Sequence, residues 1–188
     1  MDHTLIIGLG NPDPALEDTY HNAGALAVKW IAEHADMDGP GMSAPKFRAY
    51  KNSFSYIKIG KYTFIRPLVY MNESGRAVKE ALRVFEAKAG DIAIIHDDSD
   101  ISIGEVKYST GGRSAGHKGI QSIIDHLKTE DFFRIRIGIR KKNEVNRKKA
   151  EDFVLSPISI QDRETLETAF ASILLSEGGR RKRERHGE

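Results

Sequence analysis

Three groups of residues in this chain have the types and spacing to work on a carbonyl compound. His21 and Asn22 follow Asn11 within the stretch LIIGLGNPDPALEDTYHNAG, Leu5 to Gly24. An imidazole can take a proton near neutral pH, and an asparagine amide can bind a carbonyl or a backbone group. The second group is His96-Asp97-Asp98-Ser99-Asp100. Three acids and a histidine suit a divalent cation, but neighbours on a strand point to opposite faces, so all of them cannot share one ion. One carboxylate holding a histidine N–H is the more economical use. The third group is the glycine-rich STGGRSAGHKG, Ser109 to Gly119, which runs into a helical pattern. Exposed amides at such a helix start suit a phosphate or a ligand oxygen. Tyr70 and Met71 add an apolar surface beside the Asn72 amide.

Each group also has a plainer reading. Gly8-Leu9-Gly10 opens like a dinucleotide-binding turn, but Asp13 stands where the third glycine belongs and Pro12 lacks an amide for pyrophosphate. A lone His21-Asn22 pair reads best as a helix cap, with Asn22 the capping residue. Tyr70 and Met71 alone read as core, and the glycine-rich loop alone as a turn.

The elements that must position these residues alternate between strand and helix. Leu5-Ile6-Ile7 reads as a buried strand, ended by Gly8 and Gly10. A helix is predicted from about Ala23 to Ala35, with Ala23, Leu26, Ala27, Trp30 and Ile31 on one face. His21 would stand at its N-terminus, whose positive end favours the neutral imidazole. Met37 to Pro45 reads as a loop. Phe47–Tyr50, Ser53–Ile59 and Tyr62–Arg66 read as short strands, the last two joined at Gly60-Lys61, with Pro67 breaking the pattern. Ser74 is placed as the N-cap of a helix with Val78, Ala81, Leu82 and Phe85 buried. Asp91 to Ile95 is a strand ending at the acidic cluster, Glu105 to Tyr108 another, and Ile120, Ile123, Ile124 and Leu127 mark the next helix. Phe132 to Ile139 alternates as a strand, with Arg134 and Arg136 on one face. Ser159 and Asp162 resemble a capping box before a last helix bearing Leu166, Ala169, Phe170, Ile173 and Leu174, stopped by Gly178-Gly179.

At 188 residues, 30% charged and 39% hydrophobic, the chain fits one soluble globular domain with a sizeable core. It has no cysteine, which removes disulfides and thiolate chemistry. It shows no signal-peptide pattern and no apolar run of membrane-spanning length, so the cytoplasm is the expected location. The net charge of +2 is uneven. Arg134 to Lys149 carries +7 and Arg180 to Glu188 carries +3, leaving −8 for the rest. Basic blocks of this kind suit a polyanion, nucleic acid above all. For the tail alone, a solvated disordered segment is the expected reading.

Taken in order, the blocks IIGLGNP with HNAG, KFRAY, YMNESGRAV, HDDSD with GGRSAGHKG, and FRIRIGI with FVL resemble bacterial peptidyl-tRNA hydrolase, over roughly Leu5 to Pro157. The resemblance implies hydrolysis of the ester joining a peptide to tRNA, by a monomer without metal or organic cofactor. It implies His21 as general base, Asp97 as the carboxylate supporting it, Asn11 as the residue that selects N-blocked substrates, and Asn72 as an amide near the scissile carbonyl. Tyr70 and Met71 would line the site, and Lys107 and Arg136 would meet tRNA phosphate. The chain also departs from the family. Lys118, after His117, stands at a usual asparagine that contacts the terminal nucleotide and helps place the water. Lysine has no acceptor atom and cannot copy both of its roles; its charge suits a phosphate or an oxyanion and favours neutral His21. Reduced or retuned activity is therefore expected. Leu16 replaces a tyrosine, Tyr20 an arginine, Ser109 a lysine and Asp13 a glycine, while Arg113 restores some basic charge.

The expectation is thus an α/β fold, a single domain over 1–179 with a twisted mixed sheet surrounded by helices, and a basic disordered tail over 180–188. The expected function is peptidyl-tRNA hydrolysis, with peptidyl-tRNA as partner and no membrane. The alternatives are an RNA-binding member of the fold without efficient catalysis, and a hydrolase of another acyl ester that would turn over without tRNA.

Overall fold

The computed structural model describes residues 5–35, 46–141 and 149–184, with side chains as far as 174. The expected loop Met37 to Pro45 lies outside these residues, as do 142–148 of the basic block Arg134 to Lys149 and the tail from 185. The apolar run at the N-terminus forms β1 (Leu5–Gly8), buried at every position. It lies at the centre of a seven-stranded mixed sheet of order β2-β3-β4-β1-β5-β7-β6, which bears out the expected α/β architecture. Here β2 is Arg48–Tyr50, β3 Phe54–Ile59, β4 Tyr62–Pro67, β5 Ile92–Ser102, β6 Val106–Thr110 and β7 Phe133–Arg140. β1 runs parallel to β4 and β5, with Ile7 opposite Ile65 and Ile94, and β5 runs parallel to β7. The flanking pairs, β2–β3–β4 and β6–β7, are antiparallel.

Helices cover both faces, as a sheet with buried central strands requires. On one side α1 (Ala23–His34) and α4 (Ile160–Glu184) enclose a core that includes Leu26, Ile31, Ile95, Ile137, Leu166 and Phe170. On the other, α2 (Ser74–Val84) and α3 (Lys118–Leu127) pack over Ile7, Ile94, Val78 and Ile123.

Two close approaches at the C-terminal end of β1 set the position of everything downstream. Leu9 N–H donates to Ile95 O at 2.9 Å, and Ala25 N–H donates to Leu9 O at 2.8 Å. Gly24 lets the first turn of α1 sit directly on this backbone. A Cβ there would lie 2.3 Å from Ile95 O and 2.8 Å from Leu9 N. The start of α1 and the end of β5 are thereby held against each other, which brings together residues far apart in sequence.

Several local expectations are corrected. β5 does not stop before the acidic cluster but runs through it to Ser102, because β7 pairs with it as far as Arg140 opposite Ser102, across an irregularity between Asp98 and Ser102. Ser74 is the first residue of α2 rather than its cap, and its buried hydroxyl donates to Met71 O at 2.8 Å. Pro67 closes β4 from within. Helix α4 passes through Gly178-Gly179 to Glu184. A helical glycine costs only about 1 kcal/mol relative to alanine, and the residues around this pair are good helix formers.

Candidate active site

The chain enters α1 through a 3-10 turn, Tyr20–Asn22, which carries His21. The turn is fixed from outside: His21 N–H donates to Val154 O at 2.8 Å, and Thr19 bridges to Pro157. Asn22 occupies the cap position of α1 without capping it. Its side chain turns back to Asn11, with Oδ1 accepting from Asn11 N–H at 2.7 Å and Nδ2 donating to Asn11 O at 3.0 Å. The amide satisfies both backbone groups of one loop residue, so the expected cap is a clamp on the Asn11 loop. Asn11 in turn uses its Oδ1 to accept from Met71 N–H at 2.9 Å. Only an oxygen can accept there, so the Nδ2 donor is left for another partner.

At the centre is Asp97, buried on β5. Its carboxylate accepts from His21 Nδ1 at 2.9 and 3.1 Å and from His117 Nε2 at 3.0 Å. His117 is the N-cap of α3, and its Nδ1 accepts from Gly119 N–H at 3.1 Å and Ile120 N–H at 3.2 Å. A nitrogen that accepts two amides carries no hydrogen, so the His117 proton sits on Nε2, facing Asp97. On His21 the proton facing the carboxylate is on Nδ1, which leaves Nε2 with its lone pair. The two rings lie 4.9 Å apart, centroid to centroid.

Burial pushes the Asp97 carboxyl up, but the two imidazoles facing it, through charge and hydrogen bonds, outweigh burial and hold it well below the usual carboxylate range. Burial would lower His21. The Asp97 charge and hydrogen bond overcome this and raise it above the ordinary imidazole value, with Lys118 pulling the other way. The expected control by the helix end is therefore secondary to the carboxylate. His96, next in sequence to Asp97, is buried, with its Nδ1–H donating to Asp97 O at 2.7 Å. Burial pushes His96 down to about 3, and its Nε2 has no partner among the described residues.

Among the described residues, His21, Asp97 and His117 are the one group of side chains whose donor atoms lie close enough for a metal ion, all within 4.8 Å. Each of these atoms is already in a hydrogen bond of matched donor and acceptor, so the group is satisfied as a His–Asp–His relay. The remaining acids of the cluster serve other ends. Asp98 takes both Arg136 Nε and one terminal nitrogen at 2.8 Å, and Asp98 Oδ1 accepts from Asp100 N–H.

A cleft of about 620 Å³ opens over this relay. It gathers His21, Asp97, Asn11 and Asn72 from the expected chemistry, and Leu16, Tyr70, Met71, His117 and Lys118 from the expected binding residues. Lys107, Arg113 and Arg136 do not line it. Lys107 lies opposite Arg136 across the β6–β7 pair, so both stand on one face of that sheet edge. Arg113 lines a separate hollow of about 460 Å³ beside the glycine-rich loop. Arg134, expected on the face of Arg136, is buried and donates to Gly112 O and to Arg113 O, the latter at 2.9 Å, tying down that loop. The sequence reading missed the wall formed by Val154 and the half-exposed Leu155, and also missed His96 and the Asn22 clamp. The FVL block, Phe153-Val154-Leu155, was visible, but nothing local tied it to His21.

The geometry can be set beside known proteins. A peptidyl-tRNA hydrolase family profile matches residues 5–176. Curated peptidyl-tRNA hydrolases resemble the chain throughout. That of Mycoplasma capricolum subsp. capricolum is 38% identical over 172 residues, covering 88% of this chain and 86% of the relative. That of Lactobacillus delbrueckii subsp. bulgaricus is 38% identical over 171 residues, covering 90% and 88%. A crystal structure of peptidyl-tRNA hydrolase from Acinetobacter baumannii superposes with a TM-score of 0.76 at 27% identity, over 92% of this chain and 85% of that one. Among the described residues no helix is long and apolar enough to cross a membrane. The match in sequence runs over nearly the whole sheet and all its crossovers, and the chain belongs to the peptidyl-tRNA hydrolase family.

Proposed function

We propose that this protein hydrolyses the ester bond between a peptide, or an N-blocked amino acid, and tRNA, with His21 as general base. The observation that supports this most is the His21–Asp97 pair at 2.9 Å in the wall of the cleft. With Nδ1–H committed to the carboxylate, Nε2 takes a proton from water as the water oxygen attacks the ester carbonyl carbon. The carbonyl π bond opens to an oxyanion. Collapse then expels the ribose oxygen of the tRNA, which recovers the proton from His21. Asn72 and Lys118, both in the cleft, are the donors proposed for the oxyanion. The Nδ2 of Asn11 is suited to the peptide carbonyl that a blocked substrate has and a free aminoacyl group lacks. Leu16, Tyr70 and Met71 would take apolar parts of the acyl group. Lys107 and Arg136, with Arg113 beyond them, would contact tRNA phosphate without reading sequence. The protein would act as a monomer in the cytoplasm. A purely RNA-binding role finds no support in the relatives, which carry the hydrolase name.

The test is release of N-acetyl-amino acid from N-acetyl-aminoacyl-tRNA by the wild type and by His21→Ala, with free aminoacyl-tRNA as control. Release by the wild type alone, and from the blocked substrate alone, is expected. Tight, salt-sensitive tRNA binding with no release would overturn the proposal. Equal turnover of a simple N-acyl ester lacking tRNA would point to the broader esterase instead.

A further inference from the structure

Tyr20, the residue before His21, is buried against the α1–α4 core, and its hydroxyl donates to Asp162 Oδ2 at 2.5 Å. The two residues are 142 positions apart. Asp162 is itself buried in the first turn of α4, where its N–H donates to Ser159 Oγ at 3.2 Å and Lys141 Nζ lies 3.4 Å from its carboxylate. The Tyr20 ring meets Phe153 edge-on at 6.2 Å, and the Arg140 guanidinium covers the Phe153 ring at 5.2 Å. Burial, then the Asp162 hydrogen bond and charge, push the Tyr20 phenol up to about 12, while Asp162 is held below the usual range despite its burial. The phenol therefore remains a donor and the carboxylate an acceptor throughout the neutral range, and such a charge-assisted bond is strong.

Besides the Asn22 clamp on Asn11 and the Tyr20 N–H bond to Ser156 O at 3.4 Å, the turn carrying His21 is held at three places. Its imidazole is held by Asp97 of β5, its backbone amide by Val154 O, and the preceding side chain by Asp162 of α4. The first two fix His21 itself. The third ties the residue before His21 to α4, so a shift of that residue's backbone carries His21 with it.

We infer that Tyr20 and Asp162 are positioning residues for the reaction, holding the His21 turn at the distance from β5 and from the Val154–Leu155 wall that catalysis requires. Neither side chain lines the cleft, so they act through His21 and not on the substrate. The inference rests on the reading of His21 as the base.

The experiment compares wild type, Tyr20→Phe, Asp162→Asn and the double variant on N-acetyl-aminoacyl-tRNA, with thermal midpoints measured in parallel. Each single variant is expected to lower kcat by about 10- to 100-fold, since a misplacement of about 1 Å has that effect, while KM changes little. The double variant is expected to lose no more than the worse single one. The acid limb of kcat/KM should also move to lower pH as the Asp97 contact loosens. His21 is faced by Asp97 from β5, His117 and Lys118 from the start of α3, and Lys149 and Glu151 across the cleft, and all of these remain in the variants. A fall in thermal midpoint with kcat and the acid limb unchanged in Tyr20→Phe, or in Asp162→Asn should the first not fold, would show a bond that only stabilises and would overturn the inference. A wild type that releases nothing would overturn the hydrolase reading first and this inference with it.

Discussion

Replacing Asp97 by asparagine puts the proton arrangement of the site to a direct test. His117 must keep its proton on Nε2, because its Nδ1 accepts from the Gly119 and Ile120 amides. That Nε2–H points at residue 97 from 3.0 Å, while His21 Nδ1 points at it from 2.9 Å. Both bonds end on the same oxygen, Oδ1, while Oδ2 lies 3.1 Å from His21 Nδ1. An asparagine oxygen in the Oδ1 position can still accept from both rings, but the NH2 then stands in the Oδ2 position, donor against donor with His21 Nδ1–H. With the amide turned over, the NH2 faces both rings: His21 must carry its proton on Nε2, which removes the base, and His117 must abandon its cap on α3. The productive arrangement, with the oxygen in the Oδ1 position, is disfavoured by the opposed donors by about 1–3 kcal/mol, or roughly 5- to 160-fold. The part that remains also lacks the charge that stabilises the imidazolium, so a total loss in kcat of about 10³- to 10⁴-fold is expected. Single-turnover release from N-acetyl-aminoacyl-tRNA measures it. The residual activity should show an acid limb displaced to lower pH, because Asp97 is what holds His21 above its ordinary value. Activity near wild type in Asp97→Asn, or an unmoved acid limb, would refute the reasoning.

Other perturbations follow from the same contacts. Unfolded His96 gains a proton below about 6.5, whereas the folded one does so only near 3, so the unfolded state binds more protons in between. Stability should therefore fall as pH drops through that window. Urea midpoints of His96→Gln, which keeps a donor and does not titrate, should fall less steeply, and equal slopes would count against it. Gly24→Ala should destabilise by about 1–3 kcal/mol or more, because the new Cβ meets the rigid backbone of Ile95 and Leu9 rather than a movable side chain. Denaturant unfolding with an unchanged midpoint would contradict the packing. Lys107→Gln and Arg136→Gln should each raise KM with little effect on kcat and reduce the slope of log KM against log salt by roughly one. An unchanged salt slope would remove these residues from the tRNA face.

The positions of His21 and Asp97 were legible in the sequence because each lies at a boundary between apolar runs, and such boundaries gather at one edge of a parallel sheet. The motif order then supplied their expected roles. The sheet was legible in kind, since β-rich apolar runs and helical stripes alternate along the chain. What escaped was set by partners distant in sequence. Asn22 looks like a cap because its local context is that of a cap, yet the Asn11 loop is near enough to take its amide instead. β5 looks as if it ends at the acids, because charged residues rarely continue a buried strand, but Arg136 on β7 neutralises Asp98 and two imidazoles hold Asp97. Val154 has no local mark of function, since only its backbone oxygen reaches His21.

The three attachments of the His21 turn also set a schedule. His21 leaves the ribosome early, and domains fold as units while synthesis proceeds from the N-terminus. Asp97 arrives 76 residues later, and the oxygen of Val154 and the carboxylate of Asp162 later still. Until those last attachments are made, a growing copy of this chain holds its imidazole on a turn that lacks its Val154 and Asp162 braces. A protein proposed to cut peptides from tRNA would thus spend most of its own synthesis, while it is itself a peptide joined to tRNA, unable to make that cut.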